Sequence, residues 1–278
     1  MKFICYNYLP LLATYVYDSP INVQLNEGVK PLHNYPLLND ISLLKEGDKI
    51  FVKTDYLGYF LTTIFPKIQT KFYLITGVSD YEIDDRYLDY LNDTRIIKWI
   101  GVNISIQNNN KICKMLIGFQ ELERTGGNQE LLYEMYNTKT CFNDKIDKLL
   151  ITYFTNTNPR RENITNLFNN QSYIEFGEKL DFENYLKKIN NYKFVLCPTG
   201  NGLDTHRFCE ILLMGSVPIV EKNGLSDLYE KFPCIIADNF NDINYEILKN
   251  YIFDIEKYKT FESYLFVKTS PSHQIPCL

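Results

Sequence analysis

The stretch Phe194-Val-Leu-Cys-Pro-Thr-Gly-Asn-Gly-Leu-Asp-Thr-His-Arg-Phe-Cys-Glu-Ile-Leu-Leu-Met-Gly-Ser-Val-Pro-Ile-Val220 reads as four elements in a row. Residues 193–197 form a buried strand that Pro198 halts. Gly200 and Gly202 mark a loop, residues 204–214 a helix ending at Gly215, and residues 217–220 the next strand. A strand–helix–strand unit of this kind belongs to a parallel α/β sheet, and open α/β sheets bind ligands at the carboxyl ends of their strands. A ligand is therefore expected on Pro198, Thr199, Gly200, Asn201 and Gly202, where the glycines let backbone come close to it.

Asp204 reads as the N-cap of the helix, with Thr205 beside it. Arg207 then falls in the first helical turn, where the macrodipole is positive and a cation is disfavoured. A bound diphosphate reverses that penalty, because a helix N-terminus and a guanidinium together make an anion site. Glu210 follows three residues later on the same face, placed to accept hydrogen bonds from the two hydroxyls of a ribose. The plain alternative is an exposed Arg207–Glu210 ion pair within the helix. His206 reads either as a ligand contact or as a surface histidine.

Working outward, the same alternation recurs along the chain. Strands are expected at 48–53, 71–76, 95–100, 111–117, 149–154, near 173–175 and at 234–237, and helices at 57–64, 84–91, 128–136 and 181–189. Residues 1–7 read as a first strand rather than a secretion signal. The expectation is an α/β protein of two Rossmann-like domains facing a cleft. Residues 1–147 would be the acceptor-side domain and 148–255 the donor domain. The tail 256–278 would return to the N-terminal domain. The loop Thr155-Asn-Thr-Asn-Pro-Arg-Arg161 follows the first donor-domain strand, so Thr157, Arg160 and Arg161 are candidates for the ligand as well as for an ordinary solvated loop.

The long stretch resembles the C-terminal motif of exostosin-like glycosyltransferases, in Pro198, Gly200, Asp204, Thr205, Arg207, Glu210, Gly215, Pro218 and Ile219. That resemblance implies the two-domain GT-B architecture, inverting chemistry on a nucleotide sugar and UDP as carrier. It places Arg207 on the donor diphosphate and Glu210 on the ribose, and similar enzymes carry an Asn/Thr-rich loop ending in Arg at 155–161. Val52-Lys-Thr-Asp-Tyr-Leu57 and Leu74-Ile-Thr-Gly-Val-Ser-Asp80 are similar to acceptor-side segments of small exostosin-like proteins. Asp80, then Asp55, is accordingly the candidate general base, each standing just past a strand. Asp55 reads equally as the N-cap of the next helix and Asp80 as a turn residue. Trp99-Ile-Gly-Val-Asn103 adds Asn103 to the acceptor side.

Composition narrows the field. Hydrophobic residues make up 45% and charged residues 23% of the 278, as in a folded domain protein. A net charge of −5 argues against a general nucleic-acid partner. No apolar run is long enough to span a bilayer. The seven cysteines show no close pairing, and Cys197, Cys209 and Cys234 sit in apolar or helical settings, which reads as a reducing, cytoplasmic compartment. Gly200-Asn-Gly-Leu-Asp-Thr205 misses the dinucleotide fingerprint, and no Walker motif occurs. The three histidines lie far apart and no Asp-x-Asp triplet is present, so neither a metal nor another cofactor is expected. The partners expected are a nucleotide sugar and a glycan acceptor. An epimerase on the same scaffold and a non-catalytic sugar-binding relative are the alternatives.

Overall fold

A computed structural model describes residues 2–17, 36–155, 157–161, 163–168 and 171–267. Strand β1 (Lys2–Phe3) opens it. Then come β2 (Tyr15–Tyr17), β3 (Asp48–Lys53), α1 (Leu57–Tyr59), β4 (Phe72–Gly77), α2 (Leu88–Asn92), β5 (Ile96–Gly101) and β6 (Ile112–Lys114). The remainder is α3 (Gln129–Asn137), β7 (Ile146–Ile151), α4 (Ile164–Leu167), β8 (Ile174–Phe176), α5 (Phe182–Asn190) and β9 (Tyr192–Leu196), then α6 (His206–Leu213) and β10 (Val217–Glu221). It closes with α7 (Ser226–Tyr229), β11 (Ile235–Ala237), α8 (Tyr245–Lys249), α9 (Ile255–Leu265) and β12 (Phe266–Val267). Residues 6–117 form one unit, called A here; residues 2–5 and 118–267 form the other, B.

Unit A is a five-stranded parallel sheet in the order β2-β3-β4-β5-β6. Alternate positions Ile50, Val52, Phe72, Leu74 and Ile96 share a core with Leu57, Phe60, Leu61, Phe65 and Leu91. The intervening Phe51, Ile75 and Ile100 are equally buried, as strands covered on both faces require. Because this order never reverses, the sheet has no switch point among its described strands, unlike a doubly wound Rossmann sheet. The expected helix at 57–64 is broken up. After α1 the chain makes a π-turn over Phe60–Ile64, and a tight turn at Phe65–Lys67 contains Pro66. Thr62 Oγ1 donates back to Gly58 O at 2.9 Å, the local competition that loosens a helix carrying β-branched residues.

Unit B carries the second parallel sheet, ordered β11-β10-β9-β7-β8. Numbered from its first strand this is 2-1-3-4-5, the flavodoxin-like doubly wound order, and it reverses between β7 and β9. Its core joins Leu149, Ile151, Phe194, Leu196, Val217 and Ile219 to Ile164, Phe168, Phe240 and Leu248. Gly215 closes α6 with φ +67, a left-handed position that favours glycine.

The unit boundary lies at 117/118, not at 147/148 as the sequence reading placed it. Residues 118–147 belong with unit B because α3 packs on α5 and α6, and Tyr136 OH donates to Glu262 Oε1 of α9 at 2.6 Å. The N-terminal residues go with them. Phe119 N donates to Ile4 O, and β1 pairs antiparallel with β12. At Gly118 a Cβ would meet Ile4 O at 2.6 Å, so this approach needs glycine. Helix α9 packs in unit B, where β12 meets β1 and α9 meets Tyr136, so the tail does return to residues of the 1–147 segment; residues 268–278 lie outside the described residues. Among the described residues no helix is long and apolar enough to cross a membrane. Cys5, Cys141, Cys197, Cys209 and Cys234 are free thiols, whereas Cys113 is disulfide-bonded, so the expectation of thiols throughout does not extend to it.

One buried lysine holds two helix ends together. Lys145 Nζ donates to Asn190 O and Asn190 Oδ1 (3.1 Å) at the end of α5, and to Met214 O (2.9 Å) at the end of α6. Burial pulls its pKa down to about 7. Between that value and its ordinary 10.5 the unfolded chain binds the proton and the folded chain does not, so this group's contribution to stability rises with pH across the window. Lys145→Met is expected to cost about 2 kcal/mol or more by orphaning these acceptors. Urea denaturation at several pH values should show it, together with loss of that rise relative to the native chain.

Candidate anion site at the sheet reversal of unit B

The reversal between β7 and β9 sends their following loops apart and leaves a crevice at the carboxyl ends of both strands. Residues 152–161 leave β7 and residues 197–205 leave β9, and the chain tacks the two loops together. Arg161 Nε donates to Thr199 O at 2.8 Å and its Nη2 to Pro198 O at 3.2 Å. Its Nη1 donates to Thr157 Oγ1 at 2.9 Å and weakly to Thr155 O, while Asn158 Nδ2 donates to Gly200 O at 2.9 Å. A methyl at Gly200 would stand 3.3 Å from Arg161 Nη2, so glycine gives this guanidinium room.

Arg207 reaches the same place from α6. Its Nη2 donates to Tyr153 O at 3.2 Å, and its guanidinium lies 4.4 Å from the Phe154 ring centroid and 5.7 Å from that of Tyr185. Arg161 lies 5.7 Å from that same Phe154 ring, so two cations flank one aromatic side chain. Among the described residues no carboxylate comes within ion-pair distance of either arginine. Arg207 Nη1 is buried with no hydrogen-bond partner. Burial, and then the Arg207 charge, pull Arg161 below its ordinary value. Two like charges held together and partly desolvated favour an anion near them.

The other donor-side candidates separate into wall and support. Glu210 is buried at 5% exposure, and its Oε2 accepts from Tyr185 OH at 3.0 Å. Burial raises its pKa, and the His206 and Arg207 charges oppose that rise. It forms no ion pair with Arg207, so the exposed intrahelical pair is excluded. Asp204 is not the N-cap. Its Oδ1 accepts from Thr205 N (2.8 Å) and from Tyr229 OH (3.1 Å), which turns the carboxylate inward. Thr205 takes the cap position without a side-chain hydrogen bond, so α6 begins with no capping side chain. His206 Nδ1 is 2.8 Å from Gly118 O and is engaged in the fold. Gly202 is buried and Asn201 exposed in the loop. The side chain of Arg160 lies outside the described residues. Burial pushes the Cys197 thiol up to about 12, so it stays protonated beside Thr205.

The acceptor-side candidates fall in unit A, all at the carboxyl edge of its sheet. Asp55 follows β3 in the turn Thr54–Tyr56 and pairs with Lys53 at 3.4 Å; Tyr56, not Asp55, stands at the N-cap of α1. Asp80 is exposed just beyond β4, after Val78 at φ 54, a strained conformation for a β-branched residue. Asn103 follows β5 with 0% exposure and donates from Nδ2 to Ser79 O at 3.2 Å. It supports the turn that carries Asp80 and is not a surface contact.

Sequence reasoning missed Phe154, Tyr185 and Tyr153 O as the cradle of Arg207, and Asn158 as a tie to Gly200. Phe154 stood in the open at the end of a strand. Nothing local marks Tyr185, which lies 25 residues before the glutamate it serves. The chain matches no family model and no curated protein.

The two arginines should separate in a stability experiment. Arg161→Ala removes donors to Thr199, Pro198 and Thr157 and is expected to cost about 2–3 kcal/mol. Arg207→Ala removes one such bond and relieves a like-charge contact, and should cost less than about 1 kcal/mol. Denaturant midpoints at constant slope would measure both.

Proposed function

We propose that this protein is an inverting glycosyltransferase, with unit B holding a nucleotide diphosphate sugar, UDP-linked in the first instance. The observation that carries the reading is the pair Arg161 and Arg207 at the reversal of a doubly wound sheet, both without a carboxylate partner among the described residues. A diphosphate offers two adjacent charges and acceptor oxygens to such a pair. The first turn of α6, with no capping side chain, adds backbone N–H groups to the same anion. The spacing Asp204, Arg207, Glu210, which resembles exostosin-like enzymes, supports the choice of a nucleotide sugar over other diphosphates. In this reading Tyr185 engages one oxygen of Glu210 and the other, Oε1, serves the ribose hydroxyls.

The chemistry is a direct displacement. The acceptor hydroxyl oxygen bonds to the anomeric carbon as the bond from that carbon to the diphosphate oxygen breaks, and the configuration inverts. The hydroxyl proton goes to a carboxylate, assigned to Asp80 with Asp55 as the second choice. The electron pair leaves with the diphosphate, whose growing charge is stabilised by guanidiniums already in place. In this reading the two units are the halves of a GT-B enzyme, and the acceptor is a glycan or glycoconjugate hydroxyl.

Calorimetric titration with UDP, with GDP in parallel, tests the donor assignment. UDP should bind the native chain, and Arg207→Ala should weaken it by about tenfold or more, the worth of a lost charged hydrogen bond. Equal binding by both proteins would remove the assignment. Incubation with UDP-sugars and no acceptor is the companion measurement: interconversion of the sugars would replace transfer by epimerisation. Asp80→Asn should lower kcat by about a hundredfold or more and leave UDP affinity unchanged.

A further inference from the structure

A cavity of about 420 Å³ opens at the carboxyl ends of β9, β10 and β11. That size falls within the range of about 300–1,000 Å³ usual for small-molecule sites. Pro198 and Thr199 form one wall, and the carbonyls of these two residues are the ones Arg161 holds. The cavity and the guanidinium pair therefore share a strand end. Its floor includes Ile164 and Leu167, the two ends of α4.

The sheet reversal gives that position its meaning. With right-handed crossovers, the β7-to-β8 connection carrying α4 and the β8-to-β9 connection carrying α5 lie on opposite faces. Tyr185 and Glu210, on α5 and α6, thus stand on one side of the crevice and the cavity on the other. A nucleoside diphosphate sugar anchored by its phosphates at Arg161 and Arg207 has two ends to place. The ribose end goes toward Glu210, which leaves the cavity for the sugar.

From the chemistry of this lining we infer that the cavity is the glycosyl subsite and that it selects a neutral sugar over an acidic one; this rests on the donor reading above. Its ionisable side chains are Glu221, Lys222 and Asp238. Lys222 Nζ lies 3.3 Å from Asp238 Oδ1 in an exposed pair, and among the described residues Glu221 has no cation partner and accepts from Phe240 N at 3.4 Å. Sugar hydroxyls donate to such carboxylates. A uronate carboxylate would face two like charges with one ammonium already taken.

The test compares UDP, UDP-glucose and UDP-glucuronate by calorimetry on the native chain and on the double variant E221Q/D238N. If GDP proves to be the nucleotide bound, GDP-mannose and GDP-mannuronate take their place. The native chain should bind UDP-glucose at least as well as UDP, and UDP-glucuronate about tenfold more weakly than UDP-glucose. The double variant should keep its UDP affinity, which also reports that it is folded, while the glucuronate penalty shrinks several-fold. Equal affinity for the two sugars, or a penalty unchanged by the substitutions, overturns the subsite while leaving the donor reading in place. A loss of UDP affinity in the double variant overturns it too, since those carboxylates would then serve the phosphate end. Failure of either nucleotide to bind the native chain removes both.

Discussion

The site in unit B depends on one electrostatic constraint: two guanidiniums held at one strand-end crevice with no carboxylate partner among the described residues. Surface arginines normally find water or a carboxylate and contribute little. Here Arg161 is committed to backbone carbonyls of the opposite loop, and Arg207 is packed on Phe154 with one nitrogen buried and unpartnered. A fold that keeps such a charge pair carries a standing cost in the free state, which an anion bound there would offset. The hydrogen bonds between the loops are thus the means by which the charge is held in place. They explain why Thr155, Thr157, Asn158 and Thr199 surround the arginines: each supplies an acceptor or a donor that fixes geometry without adding countercharge.

The division of labour between the arginines follows from their partners. Arg161 makes several bonds to main chain and one to Thr157, so it behaves first as a clasp and second as a charge. Arg207 makes one bond and leans on two rings, so its charge is the less satisfied of the two. Glu210 accepts from the Tyr185 hydroxyl and makes no ion pair with Arg207, although the Arg207 charge still acts on it.

How much of this was legible beforehand can be read from particular residues. Strands β3, β4, β5 and β9 are runs of β-branched and aromatic residues, the last three ended by Gly or Pro, and local pattern placed them within a residue or two. Strand β2 is three residues long, and β1 ends at Phe3, too short for periodicity to speak. The misplaced boundary has another cause. Residues 118–147 join unit B through Gly118 against Ile4 and Tyr136 against Glu262, contacts separated by more than a hundred positions that no window can see. At the candidate site, Arg207 stood out as a cation at a helix start and Arg161 as the basic end of a polar loop. Asp204 was misassigned because N-cap preference describes an isolated helix, whereas Tyr229 is a competing donor supplied by α7. Asn103 entered through a resemblance of the stretch around Trp99, which carries no information on burial or on its partner, Ser79 O, 24 positions earlier.

The two sheets then differ in what topology alone grants them. In unit B the reversal between β7 and β9 creates a crevice whatever residues line it, and the chain has filled that crevice with cations. In unit A the order runs without reversal, so no crevice is granted, and any binding function must be built by loops at the carboxyl edge. The backbone at that edge is unusual in the way this demands. Val78 and Asn103 both take left-handed conformations directly past β4 and β5, and a hydrogen bond from Asn103 to Ser79 O links the two turns. A β-branched residue at φ 54 is costly and persists only where its surroundings determine it. In unit B the constraint is charge held without a partner; in unit A it is backbone held away from its preferred conformation. Each is a local cost that the packed sheet below it makes tolerable, and each stands at strand ends, where parallel α/β sheets present their ligands.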